Sequence, residues 1–132
     1  MAATGAAAAG PSAREAELAI QRAVFKSGVP DALLSNKLTE FALKIAKLQE
    51  KGVAVALIEL PIHADLEDTP RARQIRESFR RAFPALPLIR ADVLARGLQI
   101  KTADGLHLTD EDSRGVMRNL SAELHDACAA DR

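Results

Sequence analysis

The chain has 132 residues, of which 48% are hydrophobic and 27% charged, a composition typical of a single globular domain. Its 18 basic and 18 acidic side chains cancel, which excludes a general electrostatic attraction to nucleic acid or to an anionic membrane. The single cysteine excludes an internal disulfide and a cysteine-based zinc or iron–sulfur site. No apolar run approaches the ~20 residues that cross a bilayer.

The first segment, residues 1–11, reads MAATGAAAAGP and is rich in alanine and glycine. It has neither a basic start nor a stretch of large apolar residues, so it does not resemble a signal peptide. We predict that residues 1–11 are a disordered tail and that residues 12–132 form one domain. Because no signal is read, the default expectation for location is the cytoplasm.

Four helices are predicted from caps and from apolar residues at helical spacing. Ser12 and Glu15 have the spacing of a capping box, which starts the first helix. The next two helices are predicted over residues 37–51, with Ser35 or Asn36 as the cap, and 70–83. The last is predicted over residues 110–129.

Two segments between these helices are predicted to be strands. The run Val53-Ala-Val-Ala-Leu-Ile-Glu-Leu60 is almost continuously apolar, which is typical of a strand that is buried on both faces. A second, shorter strand is predicted over 87–92. Strands that alternate with helices predict the α/β class, here a partial three-layer parallel sheet of two strands with flanking helices. Because two strands make no stable layer alone, another segment, another chain or a second copy is expected to complete the sheet.

The segment from Ala103 to Thr109 carries the most chemical information. Asp104 precedes His107 by three residues, and Gly105 lets the backbone turn between them. In such a turn the carboxylate can accept the Nδ1 proton of the imidazole, which fixes the tautomer and stabilises the imidazolium that forms when Nε2 takes a proton. The sequence therefore predicts an oriented general base.

The block Asp104-Gly-Leu-His107-Leu-Thr, followed by a helix with an acidic first turn, resembles the C-terminal block of SGNH (GDSL-type) hydrolases. The resemblance extends over residues 37–125 through the order of helices and strands. It implies the C-terminal half of an SGNH or flavodoxin-like fold and an ester or acyl hydrolase activity without a cofactor. It also implies that Asp104 is the triad acid that orients the ring and that His107 is the general base.

The chain departs from that family in lacking the Gly-Asp-Ser block that holds the nucleophilic serine. Its six serines lie in caps or helices or, in one case, just before a glycine: Ser12, Ser27, Ser35, Ser78, Ser113 and Ser121. An acid–base pair without a nucleophile and oxyanion donors gives little hydrolysis. We therefore expect an isolated chain to be inactive. We also expect the chain either to form a homo-oligomer or to require a missing N-terminal half. A turn in which Asp104 only caps backbone N–H groups is the alternative.

Other residues have weaker functional interpretations. His63 follows the first strand and is a candidate substrate-binding residue, although a histidine in a loop is often only solvated. Glu59 needs a partner if it is buried, or else reaches solvent at the end of its strand. The five arginines between Arg71 and Arg81 suggest an anion binder, but a solvated, salt-bridged face explains them better. No metal site and no nucleic-acid partner are expected.

Two function classes thus remain open. The first is an SGNH-type hydrolase portion that acts on acyl esters through Asp104 and His107. The second is a non-catalytic α/β module that self-associates or docks on a partner through the open edge of its sheet.

Overall fold

A computed structural model describes residues 12–130 of the chain, and 62% of the structure is helix and 3% strand. The tail predicted for residues 1–11 lies outside the described residues. The elements are, in chain order, α1 (Ala13–Phe25), α2 (Asp31–Glu50), β1 (Leu57–Ile58), α3 (Ala64–Glu67), α4 (Pro70–Ala82), β2 (Leu88–Ile89), α5 (Ala91–Leu94) and α6 (Asp110–Ala130). Over these residues, no helix has the length and apolarity needed to cross a membrane.

The starts of α1 and α2 show how local capping sets the helix ends. Ser12 Oγ accepts the N–H of Glu15 at 3.2 Å while Glu15 Oε2 accepts the N–H of Ser12 at 3.0 Å, so the predicted capping box is confirmed. By contrast, α2 begins six residues before the predicted start. Pro30, whose fixed φ suits a helix start, is its N-cap, and the two residues predicted as caps, Ser35 and Asn36, lie inside the helix.

The predicted α/β fold class is wrong, because the sheet consists of two residues in each of two strands. β1 and β2 pair in parallel, with Leu57 opposite Leu88 and Ile58 opposite Ile89. Residues 53–56 and 59–60 are outside regular strand, although they were predicted as part of a long buried one. In the described chain β1 has one neighbouring strand, so most of the apolar run has no ladder to join. The molecule is predominantly helical and not a three-layer parallel sheet.

The expected burial of this run on both faces is also wrong. Ile58 is 41% exposed and Leu60 is 57% exposed. Their apolarity predicted a central strand, whereas burial of a strand requires neighbours on both sides. In the described residues, β1 has β2 on one side only.

Two small apolar clusters hold the helices together. The first joins β2, α5 and α6 through Ile89, Leu94, Val116 and Leu120. The second joins α1, α3 and α4 through Phe25, Leu66 and Ala72. The segment between α5 and α6 packs on both clusters, because Ile100 and Leu108 contact the first and Leu106 the second. This segment contains Asp104 and His107, so both residues lie on a loop that is anchored to the two clusters.

Candidate functional site

The carboxylate of Asp112 binds both ends of the loop that carries Asp104 and His107. Asp112 is 5% exposed, and its oxygens accept the N–H groups of Thr102 at 2.8 Å, Lys101 at 3.2 Å and Thr109 at 3.2 Å. In return, Thr109 Oγ1 accepts the N–H of Asp112 at 3.1 Å, which caps α6. One buried carboxylate therefore ties both ends of the loop to the start of α6.

The pKa of Asp112 reflects this role. Burial acts to raise the pKa and is the largest single influence, but the hydrogen bonds from Thr102, Thr109 and Lys101 together lower it below the usual value. The carboxyl is thus ionised at neutral pH although it is buried. In the sequence, Asp112 stands out only as part of the acidic first turn of the last helix. The spacing of Thr109 and Asp112 was the signal that could have identified it, since it has the form of a capping box.

A tight turn at Gly105 brings Asp104 and His107 together. Gly105 has a φ of 101° and donates its N–H to Thr102 Oγ1 at 3.1 Å. A Cβ at this position would lie 3.0 Å from Leu18 Cδ1, because the turn packs closely on α1. Ala103 donates its N–H to the carbonyl oxygen of His107 at 2.7 Å and closes the turn. Glycine is therefore favoured here by the positive φ, and the close approach to Leu18 adds to the preference.

Within this turn the carboxylate of Asp104 binds His107 in two ways. Oδ1 accepts the backbone N–H groups of His107 at 2.7 Å and of Leu106 at 2.9 Å. Oδ2 lies 2.6 Å from Nδ1 of the His107 ring. The pKa of Asp104 is lowered to about 2, first by the backbone N–H of His107, then by its side chain and by the N–H of Leu106. At neutral pH the carboxylate is ionised and can accept a hydrogen bond from the Nδ1–H group of His107.

Accessibility differs between the two side chains. The Asp104 side chain is 27% exposed, whereas the His107 side chain is 80% exposed. An ionised acceptor at Nδ1 favours the neutral tautomer with its proton on that nitrogen, which leaves the lone pair of Nε2 free. The structure therefore holds an exposed imidazole in a defined orientation. Within the described residues, no serine hydroxyl is hydrogen-bonded to the ring, so the arrangement is a pair and not a triad.

His63 has a different local role. Its Nδ1 accepts the backbone N–H of Asp65 at 3.1 Å and so caps α3, while Asp65 forms an ion pair with Arg22. Its backbone N–H donates to the carbonyl oxygen of Gly105 at 2.9 Å, which links α3 to the turn. His63 lines a cavity of about 340 Å³ together with Gly105, but Asp104 and His107 are not part of that lining. Within the described residues the backbone of His63 thus contacts the turn, but no hydrogen bond joins its side chain to that of Asp104 or His107.

A larger cavity, of about 580 Å³, lies where the two strands end. Its lining includes Glu59 from the end of β1 and Arg90 and Asp92 from the end of β2. Glu59 has the partner that its half-buried position requires, since its Oε1 lies 3.2 Å from Nε of Arg76. In this cavity charges of both signs compensate one another, which gives it no preference for an anion.

Three of the five arginines of α4 contact neighbouring elements of the fold. Arg71 donates to the carbonyl oxygens of Ser27 and Gly28, at 3.0 and 3.2 Å. Arg73 pairs with Asp68 at 3.3 Å, and Arg76 pairs with Glu59. These contacts support the salt-bridged interpretation of this helix over an anion-binding one. Across residues 12–130, no three His, Cys, Asp or Glu side chains are grouped so as to hold a metal ion.

Comparisons of the chain with models of known protein families, with curated proteins and with solved structures found no match.

Proposed function

We propose that His107 is the general base of an ester or acyl hydrolase of the SGNH type, that Asp104 orients its ring, and that the nucleophile is supplied from outside this chain. The observation that carries the proposal is the 2.6 Å contact between Asp104 Oδ2 and His107 Nδ1, on a ring whose other nitrogen faces solvent. A turn that needed Asp104 only as a cap has no use for this contact. The two backbone N–H groups are already satisfied by Oδ1.

In this function His107 acts through Nε2. The nitrogen removes the proton of an attacking hydroxyl, and the imidazolium that forms is stabilised by the carboxylate of Asp104. The same proton then passes from Nε2 to the departing alkoxide of the ester. Asp104 remains ionised throughout and holds the ring in position.

In the part of the chain that the structure describes, no serine hydroxyl is hydrogen-bonded to His107. Removing one oxyanion donor from a complete hydrolase reduces kcat by roughly 10²–10³-fold. The isolated chain is therefore expected to act only on activated esters, where the accessible imidazole itself suffices as nucleophile or base. Its rate is expected to be low and to depend on His107.

Hydrolysis of p-nitrophenyl acetate by the isolated chain tests the proposal. We expect His107→Ala to remove most of the histidine-dependent rate, and Asp104→Asn to approach the same loss because the ring is no longer held by a charge. His125→Ala is the matched control, since His125 is an exposed histidine on α6 and has no role in the proposed site. Equal rates for the wild type, His107→Ala and His125→Ala would contradict the proposal.

A further inference from the structure

Thr102 has a backbone conformation that is unusual for its residue type. Its φ is 54°, and among the non-glycine residues that the structure describes it alone has a positive φ. Crowding at Cβ makes this left-handed region unfavourable for a β-branched residue. Glycine or asparagine would adopt the same conformation with less strain. A threonine at this position therefore indicates that its side chain has a specific role.

Two buried hydrogen bonds connect Thr102 to the loop around it. The residue is 1% exposed, and its backbone N–H donates to Asp112 Oδ2 at 2.8 Å. Its Oγ1 accepts the backbone N–H of Gly105 at 3.1 Å. A strained conformation persists where the surrounding structure fixes it, and the carboxylate of Asp112 does so here. Thr102 thus links the anchored end of the loop to the turn at Gly105.

The hydroxyl of Thr102 fixes the peptide plane between Asp104 and Gly105. That plane contains the N–H that Oγ1 accepts, so its orientation sets both the ψ of Asp104 and the φ of Gly105, which is 101°. The carbonyl oxygen of Gly105 is held separately, by the backbone N–H of His63 at 2.9 Å. Both peptide planes that flank Gly105 are therefore fixed. The first is fixed by a side-chain atom, which a substitution can remove.

The contact between Asp104 and His107 depends on this peptide plane. Asp104 Oδ2 lies 2.6 Å from His107 Nδ1, and a hydrogen bond to an ionised group of this length is sensitive to small changes in distance and angle. Because the side chain of Asp104 is short, a rotation of the adjoining peptide displaces its carboxylate from the ring. The bond from the N–H of Ala103 to the carbonyl oxygen of His107 does not involve Thr102 and still closes the turn.

We propose that Thr102 is a positioning residue, whose buried hydroxyl directs the carboxylate of Asp104 toward Nδ1 of His107. The inference rests on the proposed function, because Asp104 and His107 form the pair that it positions. Thr102 acts through the peptide of Gly105 and not on the ring itself. Its strained backbone is the cost of placing a hydroxyl within reach of that peptide.

Two substitutions separate the hydroxyl from the shape of the side chain. Thr102→Val keeps the β-branched shape and removes the hydroxyl, whereas Thr102→Ser keeps the hydroxyl. The first measurement is nitrogen-correlated NMR of the neutral His107 ring, and the second is the part of p-nitrophenyl acetate hydrolysis that His107→Ala removes. We expect Thr102→Val to shift the ring proton from Nδ1 toward Nε2 and to lose at least half of that rate. Thr102→Ser should stay close to the wild type in both.

Ile45→Ala is the matched control for a general loss of stability. Ile45 is buried on α2, at 8% exposure, and belongs to neither of the two apolar clusters on which the loop packs. Its substitution should destabilise the chain to urea without moving the ring proton of His107. A Thr102→Val chain that is destabilised in the same way but keeps its proton on Nδ1 would show a purely structural role and overturn the inference. Equal shifts of the ring proton in Thr102→Val and Thr102→Ser would overturn it as well.

Two further measurements complete the test. If Asp104→Asn leaves the His107 proton on Nδ1, the proposed function fails together with this inference. If Asp104→Asn moves the proton and Thr102→Val does not, the inference alone fails. In the wild-type chain the amide of Gly105 should exchange its hydrogen slowly, and exchange at the rate of an unprotected amide would overturn the inference without any variant.

Discussion

Replacing Asp112 by alanine should destabilise the chain far more than replacing the neighbouring Asp110. Asp112 is almost completely buried and accepts three backbone N–H groups, whereas Asp110 is exposed at the first turn of α6. The alanine variant leaves the N–H of Thr102 buried without an acceptor, since Thr102 is 1% exposed. The N–H groups of Lys101 and Thr109 are less buried and regain water more easily.

The magnitude follows from the number of hydrogen bonds lost. An unsatisfied buried donor costs about 1–3 kcal/mol, and two partly solvated donors add about 0.5 kcal/mol each, so Asp112→Ala should lower the free energy of unfolding by about 2–4 kcal/mol. For a chain of this size each kcal/mol shifts Tm by roughly 3–5 °C. Asp110→Ala loses only an interaction with the helix dipole, worth about 0.5 kcal/mol.

Urea unfolding followed by circular dichroism at the helix band measures both variants, because the chain is mostly helical and contains no tryptophan. The pH dependence of the stability lost in Asp112→Ala is an independent test of the role of this carboxylate. The pKa of Asp112 is lowered in the folded chain, so its stabilisation is present above the carboxyl's ordinary pKa and is lost as the pH falls. Asp112→Ala should therefore cost less in acid than at neutral pH. A difference between the two alanine variants below about 0.5 kcal/mol at pH 7 would refute this reasoning.

Two further predictions concern the turn itself. In carbon NMR, the carboxyl of Asp104 should titrate with a midpoint near pH 2. The stability that this carboxylate contributes above its ordinary pKa of 3.8 should disappear as the pH falls toward 2. A midpoint at 3.8 would contradict the hydrogen bonds that Asp104 accepts. Gly105→Ala should lower the free energy of unfolding by about 2–4 kcal/mol, because the φ of Gly105 is positive and the added methyl group would contact Leu18. Gly52→Ala should lower it by about 1 kcal/mol, because φ is positive there but the surrounding space is open. Equal losses for the two variants in calorimetry would show that crowding at Gly105 has no effect.

Contacts between residues that are close in sequence could be predicted from short sequence patterns. Ser12 and Glu15 cap α1 as expected because a capping box is complete within four residues. The spacing of Asp104 and His107 was sufficient to suggest their contact for the same reason, since the turn between them contains only two residues.

The sheet could not be predicted in this way. The apolarity of residues 53–60 predicts that their side chains favour burial, but it does not predict which strands or helices will pack against them. In the structure only Leu57 and Ile58 form strand, and the side chain of Ile58 is left half-exposed. The capping contact of Asp112 with Thr109 could be expected from their spacing, but its contacts with Lys101 and Thr102 could not, because these residues are ten or more positions away in sequence, where periodicity carries no information.

The orientation of the His107 ring by Asp104 can be measured directly through the ring nitrogens. In nitrogen-correlated NMR of the neutral imidazole, His107 should carry its proton on Nδ1, whereas the exposed His125 should show the Nε2–H form that is usual for a free imidazole. Asp104→Asn should move His107 toward the pattern of His125. If His107 in the wild-type chain already carries its proton on Nε2, the carboxylate does not orient the ring and the proposed base does not exist.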